Sequence, residues 1–107
     1  MKRGDIHWVR LDPTEGSEIS KTRPCVIVSR DELNAVLPTV VVCPLTSALR
    51  PKWRTRLQVR CDGKKADICA EQIRTISKVR LGTRIATLSK IETIALRELL
   101  ADMYGAP

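Results

Sequence analysis

The residues with the clearest chemical potential are basic and cluster in one stretch of the chain, residues 50–65. This stretch holds seven Lys or Arg residues and one acidic residue, Asp62, so it carries +6 of the protein's net charge of +7. It also contains Trp53, within Arg50-Pro51-Lys52-Trp53-Arg54. Cations bind phosphates, and an aromatic ring among them can stack on a nucleobase, which predicts a surface for nucleic acid. The alternative is a solvated strand face with the Trp53 ring folded back onto the protein.

Residues that commonly serve as acid–base or nucleophilic catalysts are scarce in this sequence. His7 is the single histidine, which excludes a ribonuclease mechanism with two histidines, and we expect it to pack in the structure. The cysteines, Cys25, Cys43, Cys61 and Cys69, lack the closely spaced pair that begins a zinc site, so we expect buried thiols. Neither a glycine-rich phosphate loop nor a carboxylate cluster suited to Mg²⁺ is present. Any catalysis would therefore use arginine, hydroxyl groups and isolated carboxylates, with no metal or other cofactor.

These residues must be positioned by short strands within one domain, residues 1–107. A chain of 107 residues is too short for two independent hydrophobic cores. Short apolar or alternating stretches predict strands over 6–11, 25–29, 39–43, 54–60, 67–70, 72–76 and 84–88. Pro44 should end the third strand, and residues 30–37 form either a short helical turn or a loop. Many short strands favour a small β-barrel over an open sheet, because closure removes exposed edges.

Two of these strands carry an expectation about which side chains face outwards. In the first, one face should hold His7, Val9 and Leu11, and the other Ile6, Trp8 and Arg10. In the fourth, an outer basic face should be formed by Arg54, Arg56, Gln58 and Arg60. Asp62-Gly63 follows and predicts a hairpin turn.

The chain should end in an amphipathic helix. Ser89-Lys90-Ile91-Glu92 has the pattern of a capping box, in which the serine and glutamate side chains cap each other's backbone. The residues that follow helical spacing, and should face the barrel, are Ile91, Ile94, Ala95, Leu99 and Met103. Gly105 and Pro107 should close the helix.

Membrane association is not expected. No apolar run approaches the ~20 residues that a membrane span requires. The start of the chain, Met1-Lys2-Arg3-Gly4-Asp5, leads into no apolar segment of a signal peptide. We therefore expect a cytoplasmic protein.

Three stretches of sequence carry a resemblance that covers nearly the whole chain. The first runs from Arg3-Gly4-Asp5-Ile6-His7-Trp8-Val9 to Ser17-Glu18, and the second is Thr22-Arg23-Pro24-Cys25-Val26-Ile27-Val28-Ser29. The third is Val42-Cys43-Pro44-Leu45-Thr46-Ser47, followed by Glu71-Gln72-Ile73-Arg74-Thr75-Ile76. In this order and spacing they resemble the MazF/PemK-type toxins of bacterial type II toxin–antitoxin systems.

The resemblance implies a mainly β fold, an SH3-like antiparallel barrel with an amphipathic C-terminal helix, that forms a homodimer. It implies an mRNA interferase, a sequence-selective endoribonuclease that cleaves single-stranded RNA without metal and so inhibits translation and growth. The substrate's 2′-hydroxyl would attack the adjacent phosphorus and leave a 2′,3′-cyclic phosphate, or the 3′-phosphate, and a 5′-hydroxyl. The implied partner is a cognate antitoxin whose acidic, disordered tail folds across the basic surface.

The resemblance also implies which residues perform the reaction. The family's Arg-Pro motif falls on Arg23, and its Pro-x-Thr-Ser/Thr motif falls on Thr46, with Ser47 beside it. A fixed guanidinium offers two donors to the phosphorane oxygens, and the threonine hydroxyl offers one more. One such preorganised donor typically contributes ~2.7–4 kcal/mol. Glu18 is either the base that accepts the 2′-hydroxyl proton or a salt-bridge partner that orients Arg23.

Further positions are expected to bind substrate: Ser17, Ser47, Trp53, Arg54, Arg56, Glu71, Gln72 and Arg74. Of these, Glu71 and Gln72 either contact base edges or satisfy hydrogen bonds at the end of a strand. The sequence departs from the family pattern at Ile19, where many relatives have a polar residue, and at Lys21, where they have glycine. These departures affect the shape of the loop and hence the substrate preference.

Two other functions fit the same features. A gyrase-poisoning toxin of the same fold would depend on its C-terminal end, which is here an amphipathic helix. A non-catalytic RNA-binding barrel would bind RNA with a steep salt dependence and leave it intact.

Overall fold

The computed structural model describes residues 1–106 and consists mainly of antiparallel β-strands, as predicted from the sequence. The strands are β1 (Asp5–Arg10), β2 (Thr22–Ile27), β3 (Thr39–Thr46), β4 (Arg56–Cys61), β5 (Lys64–Cys69), β6 (Arg74–Ser77) and β7 (Leu81–Thr87). The helices are α1 (Asp31–Val36) and α2 (Lys90–Tyr104), with 3₁₀ turns at Ala70–Gln72 and Lys78–Arg80. Within residues 1–106 no helix is both long and apolar enough to cross a membrane.

The strands form one curled sheet in the order β4-β5-β3-β2-β1-β7, and β6 pairs with the first half of β3. The sheet describes a half-barrel, which confirms the predicted fold class. The Asp62-Gly63 hairpin is also confirmed, since both residues have positive φ, 52° and 78°, as a type I′ turn requires.

The prediction that Pro44 ends a strand is wrong, because β3 continues through Pro44 to Thr46. Along one edge, β3 pairs with β6 from Thr39 to Val42 and with β5 from Leu45 onwards. Pro44 therefore occupies the position where β3 passes from one partner to the other. A residue without an N–H donor is tolerated at such an interruption of a ladder.

The hydrophobic core consists of two clusters on opposite faces of the sheet. Val26 and Val28 belong to one cluster, whereas Cys25 and Ile27, the alternate residues, belong to the other. Because the central strands are covered on both faces, their side chains form continuous apolar runs instead of an alternating pattern. Strand β1, between β2 and β7, begins in the same way, with Ile6 buried, and then alternates as predicted.

The capping box of α2 is confirmed, but the face predicted to pack is wrong in part. The Ser89 hydroxyl accepts a hydrogen bond from the Glu92 backbone at 3.1 Å, and the Glu92 carboxylate accepts one from the Ser89 backbone at 2.8 Å. Leu96 is the buried residue of the helix, with Leu100 packed beside it, whereas Ile91 is 81% exposed and Ile94 is also exposed. Leu96 belongs to the same core cluster as Leu88, which precedes the cap, and this packing decides which face of the helix is buried.

Two residues, Gly105 and Pro107, were predicted to end α2, and the structure describes one of them. The Gly105 N–H donates to the Ala101 carbonyl at 2.8 Å and ends the helix, as predicted. Pro107, the other residue predicted to close it, lies outside the described residues.

Candidate active site

Arg23, Thr46 and Ser47, predicted from separate motifs, line one surface cleft of about 490 Å³. Its other walls come from β1, from the β4–β5 hairpin and from β7, and they include Trp8, Lys64 and Lys65. The cleft combines these five polar or charged groups, which suit an anion, with the exposed aromatic side chain of Trp8.

The register of β2 against β3 explains why Arg23 and Thr46 meet. Cys25 lies opposite Pro44, so continuing both strands by two residues brings Arg23 opposite Thr46. Residues opposite one another in antiparallel strands have Cβ atoms roughly 4.5–5.5 Å apart. The ends of the two strands therefore hold a guanidinium and a hydroxyl within reach of a single phosphate.

Arg23 is exposed, and its Nε–H donates to the Ser20 carbonyl at 3.3 Å. This bond leaves the terminal nitrogens of the guanidinium available to an anion. The salt bridge considered between Glu18 and Arg23 is not formed within residues 1–106. The Glu18 carboxylate instead accepts the Glu15 backbone N–H at 3.3 Å.

Thr46 is held by its own turn. Its Oγ1 accepts a hydrogen bond from the Ala48 backbone N–H at 3.1 Å. Because the oxygen is the acceptor in that bond, the hydroxyl proton remains free to donate to a ligand. The geometry therefore makes Thr46 a fixed donor at the edge of the cleft.

A second cavity of about 210 Å³ brings together Glu18, Glu71, Gln72 and Arg74. Gln72 and Arg74 hold the loop between β1 and β2. The Gln72 Oε1 accepts the Ile19 N–H at 2.7 Å, and the Arg74 Nη1 donates to the Leu11 carbonyl at 3.3 Å. The side-chain oxygen of Gln72 therefore makes a hydrogen bond within the protein, which is one of the two roles considered for this residue. Its amide nitrogen remains available for the other role, contact with the edge of a base.

The same loop contains both departures from the family pattern. Lys21 has φ of 67°, the left-handed conformation that glycine adopts without strain. Its carbonyl accepts the Leu11 N–H at 2.8 Å, so the backbone closes the loop despite the side chain. Ile19 packs its side chain against the core cluster that contains Val9 and Leu11. Ser17 is exposed and lines neither cavity.

The prediction that Arg56 lies on an outer basic face is wrong. Its side chain is 9% exposed, and its Nε donates to both carboxylate oxygens of Glu71 at 3.0 and 3.1 Å. Glu71 also accepts from the Thr55 hydroxyl at 2.9 Å, so its carboxylate satisfies internal groups. The physical reason is the pairing of Arg56 with Cys69, which brings the start of β4 beside Asp67 on β5 and Glu71 just after it. Arg54 is exposed, as expected.

Sequence reasoning did not assign three residues to the first cleft: Trp8, Lys64 and Lys65. Trp8 was expected to share a face of β1 with Ile6 and Arg10, and its exposed indole is a signal for a contact surface. The lysines were expected only as part of the basic stretch, residues 50–65. The two lysines follow the Asp62-Gly63 turn, and the β3–β5 pairing of Thr46 with Asp67 brings this hairpin back to the cleft. That pairing joins residues distant in sequence and has no local signal.

The expected burial is confirmed for His7, Cys25, Cys43 and Cys69 but not for Cys61. His7 is buried, with Nδ1 2.9 Å from the Gly82 carbonyl. Burial raises the pKa of Cys25 and Cys43 to about 12 and that of Cys69 to about 11, so all three remain thiols at neutral pH. Cys61 is partly exposed at the cleft wall, and burial raises its pKa too. Within residues 1–106 no three potential metal ligands are grouped.

Comparison with known proteins gives a family match over almost the entire chain. A family model described as "PemK-like, MazF-like toxin of type II toxin-antitoxin system" matches residues 2–104. A protein of Staphylococcus epidermidis named "Endoribonuclease MazF" is 34% identical over 98% of this chain and 92% of its own length. A protein with the same name from Staphylococcus saprophyticus is 37% identical over 83% of this chain and 78% of its own.

Solved structures share the fold at lower sequence identity. A structure entitled "Crystal structure of MazF (Form-I) from Deinococcus radiodurans" has a TM-score of 0.85, with 20% identity, and covers 99% of this chain and 97% of its own. One entitled "Endoribonuclease in complex with its cognate antitoxin from Mycobacterial species" has a TM-score of 0.83, with 23% identity, over 100% of this chain and 97% of its own.

Proposed function

The chain belongs to the PemK-like, MazF-like toxin family of type II toxin–antitoxin systems, and from this we propose that it is a sequence-selective endoribonuclease. Its substrate would be single-stranded RNA, in particular mRNA, whose cleavage stops translation and growth. The observation that carries this proposal is the meeting of Arg23 and Thr46 in one cleft bordered by Lys64 and Lys65. An anion-binding cleft with two fixed donors suits a phosphodiester.

The reaction we propose is an internal transfer at phosphorus. The substrate's 2′-oxygen forms a bond to the adjacent phosphorus, the bond to the 5′-oxygen breaks, and a 2′,3′-cyclic phosphate and a 5′-hydroxyl result. The Arg23 guanidinium and the Thr46 hydroxyl donate hydrogen bonds to the non-bridging oxygens, whose negative charge grows in the transition state. Lys64 and Lys65 hold the flanking phosphates and contribute affinity.

The proton of the 2′-hydroxyl passes to a carboxylate base, and the 5′-oxygen takes a proton from solvent water as it leaves. Glu18 is our candidate for the base, because it lies on the loop before Arg23 and is not neutralised by that arginine. Asp62 is the carboxylate that lines the same cleft as Arg23, whereas Glu18 lines the neighbouring cavity. Comparison of Glu18→Gln with Asp62→Asn decides between them: the variant that lacks the base loses the acidic limb of the pH–rate profile.

Substrate recognition would use both cavities. Ser47 is exposed in the cleft beside Thr46, Ser17 is exposed on the loop before Arg23, and Arg54 is an exposed cation that can hold a phosphate. The free amide nitrogen of Gln72 and the remaining donors of Arg74 can contact the acceptor edge of an unpaired base.

The basic surface also supports the proposed partner, an antitoxin with an acidic, disordered tail that covers the site. A structural neighbour is entitled as a complex with its cognate antitoxin. We further propose a homodimer and a cytoplasmic location, where mRNA substrates and the antitoxin are found.

The test is incubation of the purified protein with mixed RNA and a chelator, followed by mapping of the new 5′ ends. Arg23→Ala and Thr46→Ala should abolish cleavage with the fold intact, while Arg30→Ala, an exposed arginine outside both cavities, should cleave normally. Replacement of the scissile 2′-hydroxyl by hydrogen should also stop the reaction, since it removes the nucleophile. Binding without cleavage products would indicate an RNA-binding barrel, and inhibition of gyrase supercoiling without RNA cleavage would indicate a gyrase poison.

A further inference from the structure

The segment that joins β3 to β4, residues 47–55 and here named the strap, is tied to the protein by two carboxylates outside it. Asp67 on β5 accepts the Arg50 backbone N–H at 2.7 Å. Glu71 in the first 3₁₀ turn accepts the Thr55 hydroxyl at 2.9 Å. The strap is therefore fixed at Arg50 and at its last residue, Thr55, by bonds in which the exposed residues between them, 51–54, take no part.

The side chain of Arg56 contacts both anchoring carboxylates, Asp67 and Glu71. Its Nε is bound to both Glu71 oxygens, and its Nη1 lies 3.6 Å from the Oδ2 of Asp67, which is 2% exposed. The same guanidinium lies 4.6 Å from the centre of the Trp53 ring, and Arg50 lies 5.9 Å from it. A planar guanidinium can bind carboxylates and cover an aromatic face at the same time, which a lysine ammonium cannot do with the same geometry.

The ring that Arg56 supports remains accessible. Trp53 is 50% exposed, and it stands between exposed Lys52 and Arg54. The strap begins directly after Thr46, and its first turn is closed by the Ala48 N–H on the Thr46 hydroxyl. Trp53 lines neither of the two cavities, so its indole, flanked by cations, suits the stacked base of a nucleotide outside the cleft on an RNA strand whose phosphate lies at Thr46.

We infer that Arg56 is a positioning residue that holds Trp53 as a stacking platform for one base of the RNA substrate. It acts through Trp53 and does not bind a phosphate itself, because its charge is already shared between Asp67 and Glu71. This inference rests on the proposed function, since the occupant of the platform is the base of an RNA strand. It places a determinant of substrate choice on the strap.

The experiment compares Arg56→Met, Trp53→Ala and the double variant in the full-length protein. Dissociation constants are measured for an RNA oligonucleotide that the wild type cleaves, made uncleavable by a 2′-deoxy substitution at the scissile position. Each single variant should weaken binding about 10-fold, the order expected when one base loses its aromatic stack. The double variant should be no weaker than Trp53→Ala alone, because Arg56 acts through the ring. The single-turnover rate on saturating cleavable RNA should stay within about threefold of wild type.

The salt dependence of binding separates positioning from direct phosphate contact. Loss of one phosphate contact to a single strand lowers the slope of log Kd against log salt by about 0.7. Arg54→Met should show this reduction, whereas Arg56→Met should keep the wild-type slope. Arg30→Met is the matched control, since it removes the same charge from an exposed position outside both cavities, and it should keep the affinity within about threefold.

Three outcomes would overturn the inference. A slope reduced by Arg56→Met as much as by Arg54→Met would show that Arg56 binds phosphate. Effects of Arg56→Met and Trp53→Ala that multiply in the double variant would show that they act independently. If Arg56→Met does not fold, Glu71→Gln replaces it, and unchanged affinity in that variant would refute the role of the anchors. Failure of the wild type to bind or cleave RNA would instead refute the proposed function.

Discussion

The hydroxyl of Thr46 offers the sharpest test of the proposed chemistry, through the substitution Thr46→Val. Valine keeps the β-branched shape that suits the end of β3 and removes only the hydroxyl group. In the structure the Thr46 oxygen accepts the Ala48 N–H, and Ala48 is exposed. Water can therefore satisfy that N–H in the variant, and the free energy of unfolding should fall by less than ~1 kcal/mol.

The effect on catalysis should be much larger. The free proton of the hydroxyl is the donor to the phosphorane, and the loss of one such donor costs ~2.7–4 kcal/mol, or roughly 10²–10³-fold in rate. The donor matters most in the transition state, where charge accumulates on the non-bridging oxygens. Affinity for an uncleavable RNA should therefore stay within about threefold of wild type.

The assay is single-turnover cleavage of a short RNA at saturating protein, with urea unfolding as the control for stability. Thr46→Ser, which keeps the hydroxyl, should retain at least about a tenth of the wild-type rate. A Thr46→Val protein that is folded and still cleaves within about tenfold of wild type would refute the role of the hydroxyl. If Thr46→Val lowers only the affinity for RNA, Thr46 contributes to substrate binding and not to catalysis.

Two further predictions concern stability and reactivity. Glu92→Ala should lower the free energy of unfolding by ~1 kcal/mol at pH 7, because the capping carboxylate binds the backbones of Ser89 and Arg60 at 2.8 and 3.0 Å. Burial raises the pKa of Glu92, but these hydrogen bonds outweigh burial and hold the pKa below its ordinary value. The stabilisation should therefore be present at neutral pH and disappear as the pH falls through that lowered pKa. Urea titrations at pH 7 and pH 3 would show this loss. When the native protein is alkylated at pH 8, Cys61 should react before Cys25, because full burial and a pKa of about 12 protect the Cys25 thiol. The modified residue is identified by mass spectrometry of peptides, and modification of Cys25 first would contradict the packing.

Features with a local physical cause were predictable from the sequence. The Ser89–Glu92 capping box lies within a single turn of helix, and the Asp62-Gly63 turn needs two adjacent residues that tolerate positive φ. The apolar patterns predicted the strands but not their bounds. For example, β2 begins at Thr22 and so includes the exposed Arg23. An exposed strand end has no apolar pattern, and the register with neighbouring strands decides where it begins.

Features that depend on contacts between distant segments were not predictable. Arg56 has the alternation of an outward-facing residue, and its burial follows from Asp67 and Glu71, which lie more than ten positions away. The helix face was ambiguous for a related reason, since α2 carries apolar side chains both at Ile91 and Ile94 and at Leu96, and docking selects the latter. The motif resemblance placed Arg23 and Thr46 together, but it gave no indication of Trp8, which meets them only through the order of the strands.

The way the strap is attached has a consequence for how this protein can diversify. Its two anchors are held by side chains of β5 and the 3₁₀ turn, and the partners they hold on the strap are a backbone N–H at Arg50 and a hydroxyl at Thr55. The four residues between, 51–54, are exposed. Substitution of these four side chains can therefore change which RNA is cut, while the strands and the reacting groups stay as they are. New cleavage preferences can thus arise by substitution in these four positions while the bonds at Arg50 and Thr55 remain.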